Sequence, residues 1–511
     1  MPNNSANNKR IAKNTSLLYV RMIIVMLISL YTSRVVLQAL GVNDFGLYNV
    51  IGGIVVMLGF INTSAASATS RFLTFSLGKK DQAFFDYRTI FCAAFFIHLF
   101  IALIIVLLAE TIGLWYFNNR LVVPESRASA GMWVYQISII SIIVSFTQVP
   151  YNASIIAHER MNVYAFVGIY EATAKLLISY ALIVSPYDKL ILYAILNFCA
   201  TLSISFFYRW YCVKKYNYKC RIKIIKDTRV YRHLLSYSGW DLIGNLSVTL
   251  RSQGVNLILN FFFGPAINAA RAVAYQVENA IYHFVTNYLQ AVRPVIIKQY
   301  ALGDLKQTNN YLVMVGRVSF ILLSCFAIPL IIESDAILNL WLGTPPLYSS
   351  SFLRIVLITG LVTSLNQSLL IGVHACGDVK RYNVLMVIRL FCEIPLIILL
   401  LYYGGIPELS FWVLFAGSVY TTCVSLWIVR LNIEGFSLYN YFRDVIIRNF
   451  SLVLLPSLFS LIIHNSFCGP PFFRLVLVTL VYLLVLFPIV YFWGLNIQQR
   501  MYIKGLLCKR F

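Results

Sequence analysis

The sequence predicts an all-α polytopic membrane protein of about fourteen transmembrane helices, arranged as two six-helix lobes and two further C-terminal helices. Its 511 residues are 59% hydrophobic and only 12% charged, and the mean hydropathy is +0.76. An ordinary soluble domain has about a quarter of its residues charged. This chain therefore has too few polar side chains to cover a water-exposed surface. Apolar runs of about 20 residues, the length that crosses a bilayer, recur along the sequence.

These apolar runs define the individual spans in order. The second and the seventh are rich in Gly, Ser, Asn and Thr, and such segments pack against protein or line water. The predicted spans are Thr15–Leu40, Gly46–Leu77, Thr89–Trp115, Gly131–Tyr151, Val163–Val184, Leu190–Cys212, Leu234–Phe262, Ile267–Val292, Tyr311–Ile332, Phe352–His374, Val384–Tyr403, Phe411–Val429, Phe450–His464 and Phe473–Trp493.

The distribution of Lys and Arg predicts the orientation of the spans. Basic clusters fall on alternate loops, and cytoplasmic loops carry the excess of Lys and Arg in membrane proteins. The loops on the other side contain only Arg120, Arg127, Lys189 and Arg474. Both termini are therefore predicted to be cytoplasmic. The net charge of +22 is spread over short loops, which favours the membrane surface over nucleic acid as its partner.

The chain also shows an internal repeat. Leu40-Gly41 and Phe263-Gly264 each open a helix that ends in a Gly-containing turn, and Arg71 and Arg293 lie near the end of each copy. The offset is about 223 residues, the size of a six-helix unit. The repeat predicts lobes at residues 1–212 and 233–431, a basic cytoplasmic connector at 213–232, and two extra helices with a basic tail at 432–511. Two such lobes would enclose a cavity and work by alternating access.

Cations recur inside the predicted spans, although each costs about 2.5–3.5 kcal/mol at the centre of a bilayer. Such residues face a water-filled cavity or a partner of opposite charge. The sequence therefore predicts a cationic interior that handles an anion. The intramembrane cations are Arg34, Lys175, Arg251, Arg271, Arg354 and Arg389.

Two stretches resemble a known family. Residues 31–55 (YTSRVVLQALGVNDFGLYNVIGGIV) and the later ATSRFLTFSLGKKD resemble the start of Wzx-like lipid-linked oligosaccharide flippases, the polysaccharide transporter branch of the MOP exporter superfamily. Residues 253–304, from QGVNLILNFFFGPAINAARAVAYQV to the end of KQYALGD, are close to the same pattern. The resemblance covers nearly the whole chain and implies a MATE-like arrangement of the two lobes.

The resemblance implies a function. Such a protein would move undecaprenyl-pyrophosphate-linked oligosaccharide across the bacterial inner membrane for capsule, O-antigen (lipopolysaccharide) or exopolysaccharide assembly. It would not be an enzyme, and it would need no nucleotide, metal or other cofactor. Its partners would be the lipid-linked glycan, membrane lipids and other polysaccharide-assembly proteins. Arginine suits a diphosphate because its planar fork donates two parallel hydrogen bonds.

Seven cations are predicted to bind the anionic substrate. Arg34 matches an arginine of the family pattern, and its alternative role is an ion pair with Asp44. The alternative for Arg271 is an ion pair with Glu278, two helical turns further on. For the two repeat-related arginines near the cytoplasmic face, anchoring to lipid headgroups is the alternative. The seven are Arg34, Arg71, Lys175, Arg251, Arg271, Arg293 and Arg389.

Four acids are candidates for coupling transport to H⁺ or Na⁺. Glu171 precedes Lys175 by four residues, and Arg389 precedes Glu393 by the same spacing, so each pair shares a helix face. A self-neutralising structural pair is the alternative role for both. Capping of a helix N-terminus is the alternative for the acid that opens the seventh span. The four are Glu171, Asp241, Glu278 and Glu393.

Three other functions compete with this interpretation. A MATE-type multidrug cation antiporter is disfavoured because cations outnumber acids in the spans. A flippase for the peptidoglycan lipid precursor is a second possibility. A membrane glycan polymerase or ligase generally needs a sizeable external loop, and the longest here, Asn118–Ala130 and Glu333–Ser351, contain no paired carboxylates or His-rich cluster.

Overall fold

The computed structural model describes residues 4–58, 86–158, 160–467 and 469–494, with residues 66, 69–70, 72–73 and 76–77 between the first two ranges. Within these residues every regular element is helical, so the predicted helical class is confirmed. Arg71 lies outside the described residues, and so does the side chain of Asp241, whose backbone is helical.

The chain divides into two compact units, Met1–Ala269 and Ala270–Phe511. Two short 3₁₀ helices, Glu125–Arg127 and Asn217–Cys220, accompany the longer helices of the first unit. Those longer helices are α1 (Asn4–Leu58), α2 (Tyr87–Leu108), which continues through a π-helical segment (Ala109–Gly113) into α3 (Leu114–Asn119), α4 (Ala128–Ala157), α5 (Met161–Val184), α6 (Lys189–Tyr216) and α7 (Thr228–Phe263).

The second unit contains most of α8 and all later helices. Two further π-helical segments, Phe442–Ile447 and Val490–Gly494, lie in its last part. The helices are α8 (Pro265–Ala301), α9 (Leu305–Ile332), α10 (Ser334–Leu342), α11 (Ser349–Cys376), α12 (Val379–Tyr402), α13 (Glu408–Asn432), α14 (Leu438–Tyr441), α15 (Arg448–Ser466) and α16 (Pro471–Ile489).

Eleven helical stretches of the described chain are long and apolar enough to cross a membrane. The other three predicted spans are residues 46–77, which are only partly described, and α7 and α8. Polar residues lower the hydropathy of α7, as the sequence predicts, and also that of α8, which it does not single out. Polar spans of this kind are stable where they contact protein or water instead of lipid.

Two helix breaks lie at matching positions of the predicted repeat. Gly41 interrupts α1 with φ 79° and ψ 170°, and Gly264, 223 residues later, separates α7 from α8 with φ 78° and ψ −177°. This backbone conformation strongly favours glycine, because a Cβ atom would clash with the adjacent peptide. The backbone therefore makes the same turn at two positions 223 residues apart.

Aspartates begin several of the helices. Asp86 accepts a hydrogen bond from the amide of Arg88 at the start of α2, and Asp304 accepts one from the amide of Gln307 at the start of α9. Asp188 and Asp227 cap α6 and α7 in the same way. A carboxylate at this position satisfies free N–H groups and interacts favourably with the positive end of the helix dipole.

The helices pack in corresponding ways within each unit. In the first, α4 contacts α2 and α6, while α5 contacts α1 and α6, and α7 contacts α1 and α2. In the second, α11 contacts α9 and α13, and α12 contacts α13. The first unit's core lies between α2, α4 and α6 and includes Phe91, Ile105, Tyr151 and Tyr208. In this packing, one face of α5 contacts its neighbouring helices and another face is exposed.

Two predicted loops contain more structure than the sequence indicates. The stretch Glu333–Ser351 includes α10, whose nine residues are too few to form a span. The connector Lys214–Arg232 is short, because α6 continues to Tyr216 and α7 begins at Thr228. Cys220, inside this connector, is fully buried in the core of the first unit. Helix termini that extend past the apolar runs explain the short connector.

The hairpin formed by α15 and α16 is held to α9 at one end by a buried carboxylate. The side chain of Glu333, after the last residue of α9, is 0% exposed. It accepts a hydrogen bond from His464 Nδ1 at 2.7 Å and one from Arg474 Nε at 3.0 Å. A buried carboxylate is stable only when paired in this way, so both helices of the hairpin are fixed to the end of α9.

A three-residue ion cluster joins three turns of the first unit. Arg127 lies 2.5 Å from a carboxylate oxygen of Asp44, just after the break in α1, and 2.5 Å from one of Asp188. Burial alone would favour the neutral acid at Asp188. The hydrogen bonds from Arg127 and from the amides of Leu190 and Ile191 outweigh it and hold the pKa below the usual 3.8.

The Asp188 carboxylate is expected to make the first unit acid-sensitive. Because its pKa is lowered by folding, its stabilisation is complete above pH 3.8 and is lost as the pH falls through the folded-state pKa. Asp188→Asn keeps the helix cap but removes the charge. It should cost about 1 kcal/mol at neutral pH and flatten the acid limb of a thermal-unfolding pH profile. Asp86→Asn is the control, because the Asp86 carboxylate caps α2 but forms no ion pair with a described arginine. An unchanged acid limb in Asp188→Asn would exclude Asp188 as the source of the acid sensitivity.

Candidate functional site

Helix α5 has two chemically different exposed faces. Phe166, Tyr170, Leu177 and Val184 are 62%, 44%, 64% and 85% exposed, and all four lie on one face of the helix. Lys175 follows Phe166 by nine residues, or two and a half turns, and so lies on the opposite face. The apolar face is the one that suits lipid. The face with Lys175 is therefore directed away from lipid.

An exposed ion pair lies on this inward face. Lys175 Nζ is 2.6 Å from Glu171 Oε1, and the two side chains are 48% and 45% exposed. The sequence predicts this pair from its spacing, and the structure confirms it. The ion pair is half-exposed within a membrane span and lies opposite the apolar face. Such residues are functional candidates.

Arg21 of α1 extends the same face of α5 and was not among the predicted site residues. Its guanidinium lies against Gly168, where an added Cβ atom would overlap it unless the arginine side chain moved. The guanidinium lies over the ring of Tyr164, 4.4 Å from the ring centroid. Gly168 is about one turn and Tyr164 about two turns before Glu171. The sequence signal was an arginine inside the first apolar run.

The other predicted cations of the first unit are Arg34 and Arg251. Arg34 lies in α1 and Arg251 in α7, and both are half-buried and have interaction partners. Asp44, the alternative partner predicted for Arg34, is bound by Arg127 through both of its oxygens. Helices α5 and α7 both pack on α1. Four intramembrane cations of the first unit therefore lie on three neighbouring helices: Arg21, Arg34, Lys175 and Arg251.

Two predicted cations of α8 have different surroundings. Arg271 is 8% exposed, and its guanidinium lies 4.6 Å from the centroid of the Tyr275 ring. The alternative role predicted for Arg271 was an ion pair with Glu278. The two described side chains do not form this ion pair, so that prediction is wrong. The cation–π contact one turn away takes that role instead. Arg293 is exposed.

Glu278 differs from the other candidate acids. It is half-buried in α8, and its Oε1 atom lies 3.8 Å from the position of a Cβ atom added to Gly360 of α11. In the part of the chain that the structure describes, no hydrogen bond or ion pair is found for its carboxylate. A carboxylate placed this way inside a membrane protein favours binding of a proton or a cation.

Arg389 and Glu393 form the predicted pair in the second unit, but it is buried. Arg389 Nε lies 2.7 Å from Glu393 Oε1, with side chains 9% and 6% exposed. Arg389 also donates a hydrogen bond to Thr421 of α13. A Cβ atom on Gly417 would lie 1.4 Å from Glu393 Oε1. The pair is therefore enclosed between α12 and α13.

The two pairs occupy equivalent positions when α5 and α12 are aligned by their first residues. Helix α12 begins at Val379, 218 residues after α5 begins at Met161. The same offset places Glu171 on Arg389 and Lys175 on Glu393, so the order of charges is reversed. One pair is half-exposed and the other is enclosed by a neighbouring helix. The structure therefore separates an accessible pair from a sealed one, which the spacing alone does not distinguish.

Metal binding has no support in the described ranges. They contain no group of three or more His, Cys, Asp or Glu side chains arranged to hold a metal ion.

Comparisons with known proteins identify the fold. No protein-family model matches the sequence, and no curated protein sequence matches it. Among solved structures, the chain is similar to an inward-facing multidrug resistance MATE family transporter of the MOP superfamily, with a TM-score of 0.67 and 12% identity. That alignment covers 82% of this chain and 98% of the other.

Two further solved structures agree. The lipid II flippase MurJ, in an inward closed conformation, aligns with a TM-score of 0.67 and 14% identity, over 97% of this chain and 100% of its own. A MOP superfamily transporter from Pyrococcus furiosus, described by the reverse polarity of its binding pocket, gives 0.60 and 12% over 83% and 96%. At this identity the likeness establishes the fold. The chain has the fold of MOP superfamily transporters, and the predicted polytopic class is confirmed.

Proposed function

We propose that the chain is a flippase that exports an anionic lipid-linked glycan, namely undecaprenyl-pyrophosphate-linked oligosaccharide, across the bacterial inner membrane. The observation that carries this proposal is the inward face of α5 with its neighbours, where Arg21 and Lys175 present cations away from lipid. The fold is that of transporters, one of which is described as a lipid II flippase. Alternating access, with both termini in the cytoplasm, belongs to the same proposal.

The chemistry of the substrate matches these residues. A pyrophosphate carries about two negative charges, and guanidinium groups bind phosphate oxygens through paired, charge-assisted hydrogen bonds. Outward movement of each charge from a negative interior gains about 2.3 kcal/mol per 100 mV. The membrane potential therefore supports outward flipping without a nucleotide. Arg34, Arg71, Arg251, Arg271 and Arg293 are proposed as further substrate contacts.

Glu278 is the preferred ion-coupling residue among the four candidates. Glu171 and Glu393 each hold a cation of their own helix, whereas no cation holds Glu278 within the described chain. Asp241 remains a proposal from the sequence. This acid, which has no cation partner among the described residues, also favours a second candidate function, a MATE-type cation antiporter, in which Glu278 would bind the exported cation.

A leaflet-resolved assay tests the flippase proposal. Arg34→Ala, Arg251→Ala and Arg271→Ala would be expressed in cells that lack their own flippase. Each variant should accumulate lipid-linked oligosaccharide on the cytoplasmic face at least tenfold over wild type, because each removes a cation from the path. Arg120→Ala, which changes an exposed arginine at the end of α3, is the matched control.

The same assay separates the two candidate functions. If all three variants produce normal surface glycan at normal protein levels, these arginines have only structural roles. That result would contradict the flippase proposal. Glu278→Gln should slow flipping only when a proton or sodium gradient is imposed. If wild type instead exports organic cations and Glu278→Gln does not, the antiporter is the correct function.

A further inference from the structure

Two π-helical segments meet where the last hairpin joins α9. One, Phe442–Ile447, leads into α15, and the other, Val490–Gly494, ends α16. The first contacts α9 and α15, and the second contacts α15 and α16. π-Helical segments account for well under 1% of residues in proteins and occur frequently at functional sites. Their convergence marks this end of the hairpin as a place to search for a ligand.

Two arginines bind the carbonyl groups at the end of the second segment. Arg448, the first residue of α15, donates to the carbonyl oxygen of Trp493, and Arg317 of α9 donates to that of Gly494. The last carbonyls of a helix have no partner within it and carry the negative end of its dipole. Because the two carbonyls are adjacent, the two guanidinium groups are neighbours, and each raises the cost of the other's charge.

The acid present does not neutralise this cluster. Asp444 lies within electrostatic reach of Arg317 and Arg448, but its carboxylate is held by Arg443, with Nε 2.8 Å from Oδ1. Among the described residues, these three guanidinium groups share one carboxylate. Each guanidinium has five N–H donors, and Arg317 Nε has no hydrogen-bond partner among the described atoms. An additional anion would balance the cluster and occupy its remaining donors.

The surroundings of the cluster place it at the edge of the lipid-facing band. Trp493 and Tyr439 are each 70% exposed, as expected for aromatic side chains at a membrane interface. Phe450 and Leu454, further along α15, are 47% and 61% exposed and begin an apolar face. Arg448 precedes Phe450 by two residues. The cluster is therefore at the depth of the phosphate groups of the bilayer.

From this arrangement we infer that Arg317, Arg443 and Arg448 form a binding site for a phosphate group, supplied by the headgroup of an anionic phospholipid. Basic pockets between transmembrane helices on the cytoplasmic side bind such headgroups, and the charge distribution along the chain predicts that side for this end of the hairpin. The lipid would bridge α9 to the hairpin opposite the Glu333 contact. The site does not depend on the proposed transport function.

Lipid retention by the purified full-length protein tests the site. In native mass spectrometry, wild type should keep phosphatidylglycerol in preference to phosphatidylcholine. Arg448→Gln keeps a donor for the Trp493 carbonyl but loses the charge, so helix capping is preserved. It should weaken phosphatidylglycerol binding about fivefold, the effect of one interfacial cation. Arg381→Gln, at a surface arginine paired with Asp378, is the matched control and should bind as wild type.

Two results would overturn the inference. Equal retention of phosphatidylglycerol by wild type and Arg448→Gln, with both folded by thermal unfolding, would leave the arginines as helix caps only. Displacement of the lipid by equimolar inorganic phosphate would show a site for free phosphate and reject the lipid headgroup. Because the readout is lipid binding, loss of glycan flipping in other variants does not affect it.

Discussion

The Glu393→Ala variant is expected to lose about 3–5 kcal/mol of the free energy of unfolding, because it leaves the charge of Arg389 buried without its partner. Both side chains are less than a tenth exposed, and α13 covers them. Arg389 Nη2 is already buried without a hydrogen-bond partner in the described structure, so little remains to compensate. Reversible unfolding of the purified protein by SDS titration in mixed micelles would measure the loss.

Replacement of both partners separates charge burial from loss of packing. Arg389→Met combined with Glu393→Leu should unfold near wild type, since a buried ion pair replaced by apolar residues of similar volume is often neutral or stabilising. Glu171→Ala, which removes the acid of the half-exposed pair in the first unit, is the control and should cost less than 1 kcal/mol. A loss below 1 kcal/mol in Glu393→Ala would show that water reaches the pair.

The Lys175→Gln variant is expected to reduce transport more than tenfold while leaving the free energy of unfolding within about 1 kcal/mol of wild type. Half-exposed ion pairs contribute little to stability, so the stability effect is small. The transport effect is large because Lys175 lies on the face of α5 directed away from lipid, where it would exchange Glu171 for the anionic substrate. Glycan export in cells, compared with unfolding of the purified variant, measures both quantities.

A charge exchange within the pair provides a sharper comparison. Glu171→Lys combined with Lys175→Glu keeps an ion pair on the same face but moves the cation by one turn, and it should recover part of the lost transport. Lys189→Gln, at the start of α6 outside this face, is the control. Wild-type transport by Lys175→Gln would assign the pair to structure alone and remove it from the proposed site.

Much of this fold could be predicted from short-range sequence patterns. Apolar run length predicted the helices, and the glycine at 41 with its counterpart at 264 predicted the repeat. Residues four apart on one helix must share a face, so both ion pairs were predictable. These features depend on neighbours within a few turns, which is the range over which helix geometry acts.

Contacts between distant residues were not predictable in this way. Whether a pair is sealed depends on Gly417, which lies on another helix from Arg389. Arg127 binds both Asp44 and Asp188. The sequence predicted only that Arg127 lies in a loop, not that it forms these ion pairs. Sequence spacing does not indicate which helix ends lie next to each other. The contacts of Arg317 and Arg448 with the end of the last hairpin were therefore not predicted, although both arginines lie within or beside apolar runs.

The described residues of helices α7 and α8 are less apolar than those of the other spans. Neither, as described, has a stretch apolar enough to cross on its own, so the isolated segments would gain too little from partitioning into lipid. In the finished first unit α7 rests on α1 and α2. Its insertion during synthesis therefore depends on those earlier helices already being in place.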